Sequence, residues 1–305
     1  MGEIHMKPRL FVRMLAVGIL ALLVLSVAES QKLKIYISVD MEGITGVVSS
    51  DQVSGTGVDY GMARRWMTED VNAAVLGALD AGATEVIVND SHGDMRNLIA
   101  SELHPAAMLI SGTPKPHGMM EGVDATADAV LLIGYHAKAG TIDGVLDHTI
   151  SSATVYSIKI NGIEMPELGI NALVAGAFNV PVVMLSGDKT LCAQARELLG
   201  PNVRTAQVKE AIGRYAAKHL SFENARKLIR QQAKEGIERR RDVKSYKLTP
   251  PYRAELTYLR SSQADNAMMI PGVKRVGARS VEIHSDDYIV LSKFLRGLIS
   301  LGREN

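Results

Sequence analysis

The chain has 305 residues, 47% hydrophobic and 22% charged, a globular composition with room for one large α/β domain or two smaller ones. Its formal net charge is +1 with no basic stripe, which argues against a nucleic-acid partner. Cys192 is the single cysteine, so an intramolecular disulfide and a thiolate metal site are excluded, and any metal must be held by His, Asp and Glu.

Lys7, Arg9 and Arg13 precede an apolar run from Met14 to Val27, and Ser26 and Ala28 place small residues where a signal peptidase cuts. The pattern predicts a secretory signal peptide over residues 1–28, too short for a comfortable membrane span; an uncleaved N-terminal anchor is the alternative. Its removal leaves 305 − 28 = 277 residues, with 34 − 3 = 31 basic and 33 − 1 = 32 acidic. An exported protein, periplasmic or extracellular, is the expectation.

Next comes Lys34-Ile35-Tyr36-Ile37-Ser38-Val39-Asp40-Met41-Glu42-Gly43. Its β-branched and aromatic first half predicts a buried strand. Asp40 and Glu42 then sit at the strand's carboxyl end, where open α/β sheets bind ligands. A buried carboxylate must be paired or bound to a metal, so two of them one residue apart ask for a cation.

A polar loop over residues 49–61 leads into a helix carrying Met67, Val71, Ala74, Val75 and Ala78 on one face and ending near Ala81-Gly82. The opening pattern of apolar strand, polar cluster and glycine then returns. It appears at Val86-Ile87-Val88-Asn89-Asp90-Ser91-His92-Gly93, at Val130-Leu131-Leu132-Ile133-Gly134-Tyr135-His136, and at Val182-Val183-Met184-Leu185-Ser186-Gly187-Asp188. Near-continuous apolar strands separated by helices predict an α/β fold: a largely parallel sheet flanked by helices on both faces. Parallel strands would bring Asp40, Glu42, Asp90, His92 and His136 to one sheet edge, although an aspartate at a strand end also serves simply to cap the next helix.

Asp147-His148 lies in a polar loop before a strand over residues 154–160, and Asn161-Gly162 predicts a hairpin turn. Glu167 opens an apolar helix, suiting either a cap or a ligand. Ser221 caps a later helix that ends in Arg239-Arg240-Arg241, a solvated end favoured by the helix dipole. Residues 253–259 and 279–284 read as paired strands, followed by a last helix over 286–301. The expected organisation is a signal peptide (1–28), a metal-binding α/β domain (29–190) and a smaller C-terminal α+β lobe (191–305). Of the eight histidines, His92 and His136 stand out because each follows a buried strand. His104 and His117 fall in loops, His219 on an expected helix, and His284 at a strand end.

Five blocks occur in one order: Ser38-Val39-Asp40-Met41-Glu42-Gly43, Val88-Asn89-Asp90-Ser91-His92, Gly134-Tyr135-His136, Asp147-His148, and Glu167-Leu168-Gly169-Ile170-Asn171-Ala172. Together they resemble the D-aminopeptidase family of zinc peptidases, over essentially all of the chain after the signal segment. The resemblance implies two zinc ions per subunit, held by Asp40, Glu42, His92, His136 and Glu167, with Asp40 the natural bridge. It also implies a catalytic role for His148. The chain departs from the family pattern at Pro166, before the last carboxylate, and in having a signal segment. The activity implied is hydrolysis of short peptides with N-terminal D-amino acids, such as D-Ala-D-Ala, by a metal-bound hydroxide assisted by His148. The family also implies a homo-oligomer, a ring-shaped decamer being one such form. Carboxylate and imidazole ligands without thiolate suit zinc in a hydrolytic site, and paired metals activate water and polarise a carbonyl.

Two alternatives stay open on the residues alone. The same ligand types serve a dinuclear phosphoesterase or amidohydrolase, although Lys138 is the one obvious cation nearby to hold a phosphate. A non-enzymatic solute- or metal-binding protein would bind metal without hydrolysis, and would have no use for His148 beside a filled site.

Overall fold

The strand read first is β1 (Lys34–Val39), and every residue after Lys34 in it is buried. The computed structural model describes Gly2 and residues 32–303, so the expected signal segment lies, Gly2 apart, outside the described residues. After β1 come α1 (Ser50–Val53), α2 (Tyr60–Asp80), β2 (Glu85–Asp90), β3 (Ala107–Ile110) and β4 (Ala129–Ile133). The chain continues through the hairpin β5 (Val155–Ile160) and β6 (Ile163–Glu164), then α3 (Glu167–Ala177), β7 (Val182–Asp188) and α4 (Lys189–Leu199). A second hairpin, β8 (Arg204–Gly213) and β9 (Ala216–His219), leads to α5 (Phe222–Glu238). Last are β10 (Tyr252–Tyr258), α6 (Ser261–Ala267), β11 (Lys274–Arg275), β12 (Ser280–Ser285) and α7 (Tyr288–Leu301). Among the described residues, no helix is long and apolar enough to cross a membrane.

Seven strands form the first sheet in the order β3-β2-β1-β4-β7-β8-β9. All its pairings are parallel except β8 with β9. The chain runs outward from β1 to β2 and β3, then returns to place β4 on the other side of β1. That reversal opens a crevice beyond the carboxyl ends of β1 and β4, the general location of ligand sites in such sheets.

Strand alternation divides the core between the two faces. Ile35, Ile37 and Val39 pack with Met67, Val71 and Ala74 of α2 and with Ile229, Ala233 and Ile237 of α5. On the opposite face, Tyr36, Val130 and Leu132 join Leu168 and Leu173 of α3 and the inner residues of a second sheet, among them Ile158, Leu256 and Val281. That sheet is antiparallel, in the order β11-β12-β10-β5-β6. Leu291, Leu295 and Leu298 of α7 pack into the same core.

The sheets do not divide the chain at 190/191. β8 and β9 follow that point yet extend the first sheet, because β8 pairs in parallel with β7. β5 and β6 precede it and belong to the second. His219 ends strand β9 rather than lying on a helix: Ala216-Ala217-Lys218 favours a helix locally, but antiparallel pairing with β8 decides. The Asn161-Gly162 turn is the expected tight hairpin, with φ of 51° and 83°.

Candidate metal centre

The crevice beyond β1 and β4 is built by a close approach of two backbones. Asp40 N donates to Ile133 O at 2.8 Å and Gly43 N to Gly134 O at 2.7 Å. A Cβ on Gly43 would lie 1.9 Å from Tyr135 O, so only glycine lets the chain turn there. This approach sets Asp40 and Glu42 opposite His136, which follows β4. His92 arrives from the loop after β2, and Glu167 from the first turn of α3, after Pro166 in extended conformation (φ −69°, ψ 166°).

Asp40, Glu42, His136 and Glu167 are each at most 5% exposed. His92 Nδ1 lies 3.1 Å from Asp40 Oδ1 and 3.0 Å from Glu42 Oε2. His136 Nε2 lies 3.3 Å from Asp40 Oδ2 and from Glu167 Oε1. Asp40 thus turns one oxygen to each histidine. His148 Nε2 is 3.6 Å from Glu167 Oε1, and its ring stacks on that of His136.

Each imidazole is fixed by a backbone carbonyl on its far side. His92 Nε2 donates to Val53 O (2.7 Å), His136 Nδ1 to Ala137 O (3.0 Å) and His148 Nδ1 to Leu146 O (2.9 Å). This fixes the orientation of each ring and turns its other nitrogen toward the carboxylates, the arrangement a metal-ligating histidine requires. Ile150 N donates to Glu167 Oε1 at 2.5 Å. Leu146 and Ile150, on either side of His148, both have left-handed backbones, with φ of 52° and 62°. Such conformations cost about 1–3 kcal/mol each and persist only where surrounding contacts impose them.

The electrostatics call for a cation. Burial opposes charge on His92 and His136, yet the facing carboxylates outweigh it and raise both imidazoles well above their usual range. Burial likewise works against ionised Asp40, and the two histidines overcome it and hold its carboxyl well below the usual range. Glu42 is lowered in the same way by His92, against its own burial and the Asp40 charge. Asp40 Oδ2, Glu42 Oε2 and His136 Nε2 are nevertheless buried without a hydrogen-bond partner, a costly state that metal coordination would relieve. Candidate ligand atoms fall into two groups sharing His136: one with Asp40 and Glu42, the other with His148 and Glu167. An all-oxygen-and-nitrogen donor set fits zinc.

All six residues singled out in the sequence therefore meet at one place. Three neighbouring aspartates hold the backbone around the site. Asp90 accepts from Asn97 N, Leu98 N and Asn97 Nδ2, shaping the loop after His92 rather than touching its ring. Asp147 accepts from Gly140 N and Thr141 N and pairs with Arg214. Asp188, at the end of β7, caps α4 through Leu191 N and accepts from Val145 N. The other described histidines lie elsewhere: His104 accepts from Ala106 N, His117 packs edge-on to Phe178, His219 accepts from Gly46 N, and His284 pairs with Glu282.

Two contributors were not legible in the sequence, Arg214 and Lys209, both on the β8–β9 hairpin. Arg214 Nη1 donates to both the backbone and side-chain oxygens of Asp147, bracing the loop that carries His148. Lys209 is wholly buried; burial pushes its ammonium down to about 7, against the pull of Asp188, Glu42 and Asp70. The alternation through Thr205-Ala206-Gln207-Val208-Lys209 was the available signal for a strand there.

Comparison with known proteins agrees with this geometry. The family model described as D-aminopeptidase, peptidase family M55, matches residues 33–297. A D-aminopeptidase of Bacillus subtilis (strain 168) is 41% identical over 260 residues, spanning 84% of this chain and 93% of the relative. The solved structure of a Zn-dependent D-aminopeptidase from Bacillus subtilis, described as a self-compartmentalizing protease, superposes with a TM-score of 0.87 at 36% identity. The match covers 90% of this chain and 99% of that one.

Proposed function

This chain belongs to the D-aminopeptidase family of peptidases, family M55, and on that premise we propose that it is a zinc-dependent aminopeptidase acting on short peptides with N-terminal D-residues. The observation that carries the reading is the convergence of three buried carboxylates and three imidazoles, each ring turned inward by a backbone carbonyl.

We assign two zinc ions to the site. Asp40, its Oδ1 facing His92 and its Oδ2 facing His136, would serve both. Glu42 and His92 would hold one ion, His136 and Glu167 the other. Zinc held there would supply an activated water and polarise the scissile carbonyl. His148 is kept for the proton: with Nδ1–H given to Leu146 O, its Nε2 is placed to take a proton from the attacking water and pass it to the leaving amine as the peptide C–N bond breaks. The preference for D-residues is carried by the family and its named relatives, not by a feature of the site.

Assembly and location complete the proposal. A homo-oligomer is supported by the self-compartmentalizing relative. It is also supported by exposed Ile142 and by Ile212 and Tyr215 at the tip of the hairpin that braces the His148 loop. Export is supported by the signal-like residues 1–28, and an enzyme outside the cytoplasm would meet D-peptides released from cell walls.

The deciding assay follows D-alanine release from D-Ala-D-Ala, with L-Ala-L-Ala alongside, by residues 29–305 loaded with zinc and after chelation. Zinc-dependent cleavage of the D form alone supports the proposal. Cleavage of neither dipeptide by protein with two zinc ions bound overturns the substrate assignment.

A further inference from the structure

Lys209 points from β8 into the interior beneath the loop that carries Glu42, and it is 2% exposed. Its Nζ donates to the backbone oxygens of Glu42 at 2.5 Å, Ile44 at 3.0 Å and Val47 at 2.7 Å. An ammonium has three N–H groups and no acceptor, and here three carbonyls take all three.

The loop needs such a centre because of how it is wound. Ile44 N turns back to Met41 O and Val47 N to Ile44 O, each at 3.2 Å, while the oxygens of Glu42, Ile44 and Val47 point inward. Neighbours fix the rest of the segment. Asp70 Oδ2 accepts from Thr45 N and Thr45 Oγ1. His219, directly across from Lys209 in the β8–β9 register, accepts from Gly46 N. Of these contacts, only the one from Lys209 falls on Glu42 itself.

We propose that Lys209 is a positioning residue of the metal centre: by holding the Glu42 carbonyl from below, it fixes the backbone from which the Glu42 carboxylate reaches the side of the site shared with His92. The inference rests on the reading of Glu42 as a metal ligand. A purely structural lysine would affect stability alone. A positioning lysine must also affect metal affinity and turnover.

The experiment compares wild type, Lys209→Met and Glu42→Gln by bound zinc after dialysis against graded chelator, by kcat and KM for D-Ala-D-Ala, and by thermal melting. Folded Lys209→Met is expected to weaken one of the two zinc ions about 10–100-fold, the range for residues that orient a ligand. Its kcat falls while KM changes little, and Glu42→Gln loses the same ion. Should Lys209→Met not fold, Lys209→Gln, which keeps amide donors, is read in its place. A folded variant that binds both ions and turns over as wild type, beside a Glu42→Gln that loses one, overturns the role of Lys209 alone. A Glu42→Gln that keeps both ions at wild-type affinity overturns the ligand assignment, and the positioning role with it.

Discussion

His136 and His148 lie nearly parallel, ring centroids 4.0 Å apart and planes 11° from each other, and their Nε2 atoms approach the same oxygen, Glu167 Oε1, at 3.3 and 3.6 Å. The two rings are thus set side by side for different tasks. His148→Ala is expected to lower kcat by about 10²–10⁴-fold, the usual share of a general acid or base, with bound zinc unchanged. Steady-state kinetics with metal analysis of the same sample checks this. Loss of one ion would move His148 into the ligand set.

The brace from Arg214 to Asp147 bears on catalysis through His148. Removing it frees a loop whose Leu146 and Ile150 hold left-handed backbones. Arg214→Ala is expected to lower kcat about 10-fold and leave zinc content intact. Arg214→Lys, which keeps the charge but not the forked geometry, should recover only part of the loss.

Gly43 is a matter of space. Gly43→Ala forces a methyl group against Tyr135 O and drives the β1 loop off the segment after β4. A cost of about 1–3 kcal/mol in stability, as for other overpacked positions, should accompany weaker zinc binding. Denaturant unfolding of zinc-loaded and chelated protein measures both.

Lys115 gives stability a pH dependence. Burial lowers its ammonium from 10.5 to about 8, against the charges of Asp90 and Glu121, while Nζ donates to Asn89 Oδ1 and Asp90 O. Between those two values the unfolded chain holds more protons than the folded one, so stability rises with pH across that window. The penalty is complete below the folded value and is relieved above it. Relative to Lys115→Met, the wild type should gain on the order of 2 kcal/mol between pH 8 and pH 10. Urea unfolding at the two pH values tests this, and a constant difference between the proteins would refute it.

Much of the site was legible because parallel strands impose a simple rule: residues far apart in sequence meet if each ends a buried strand. Asp40, His92 and His136 follow that rule, and Glu167 follows the comparable one for a helix start. Lys209 and Arg214 escaped because the partners that define their roles, Glu42 and Asp147, lie 167 and 67 residues away in sequence. In the hairpin that carries them, local preference for a helix near His219 pointed the wrong way. That β8 and β9 extend the first sheet escaped for the same reason, since a chain in order does not reveal which sheet a later strand joins.

Asp40, Glu42, His92 and His136 all follow strands of the first sheet, whereas Glu167 begins the helix that comes directly after the β5–β6 hairpin of the second. On the proposed assignment the bound ions therefore act as a rivet between the two layers, and part of their binding energy is folding energy. Chelation would then loosen the seam along with the chemistry, making metal supply a determinant of the enzyme's lifetime as well as its rate.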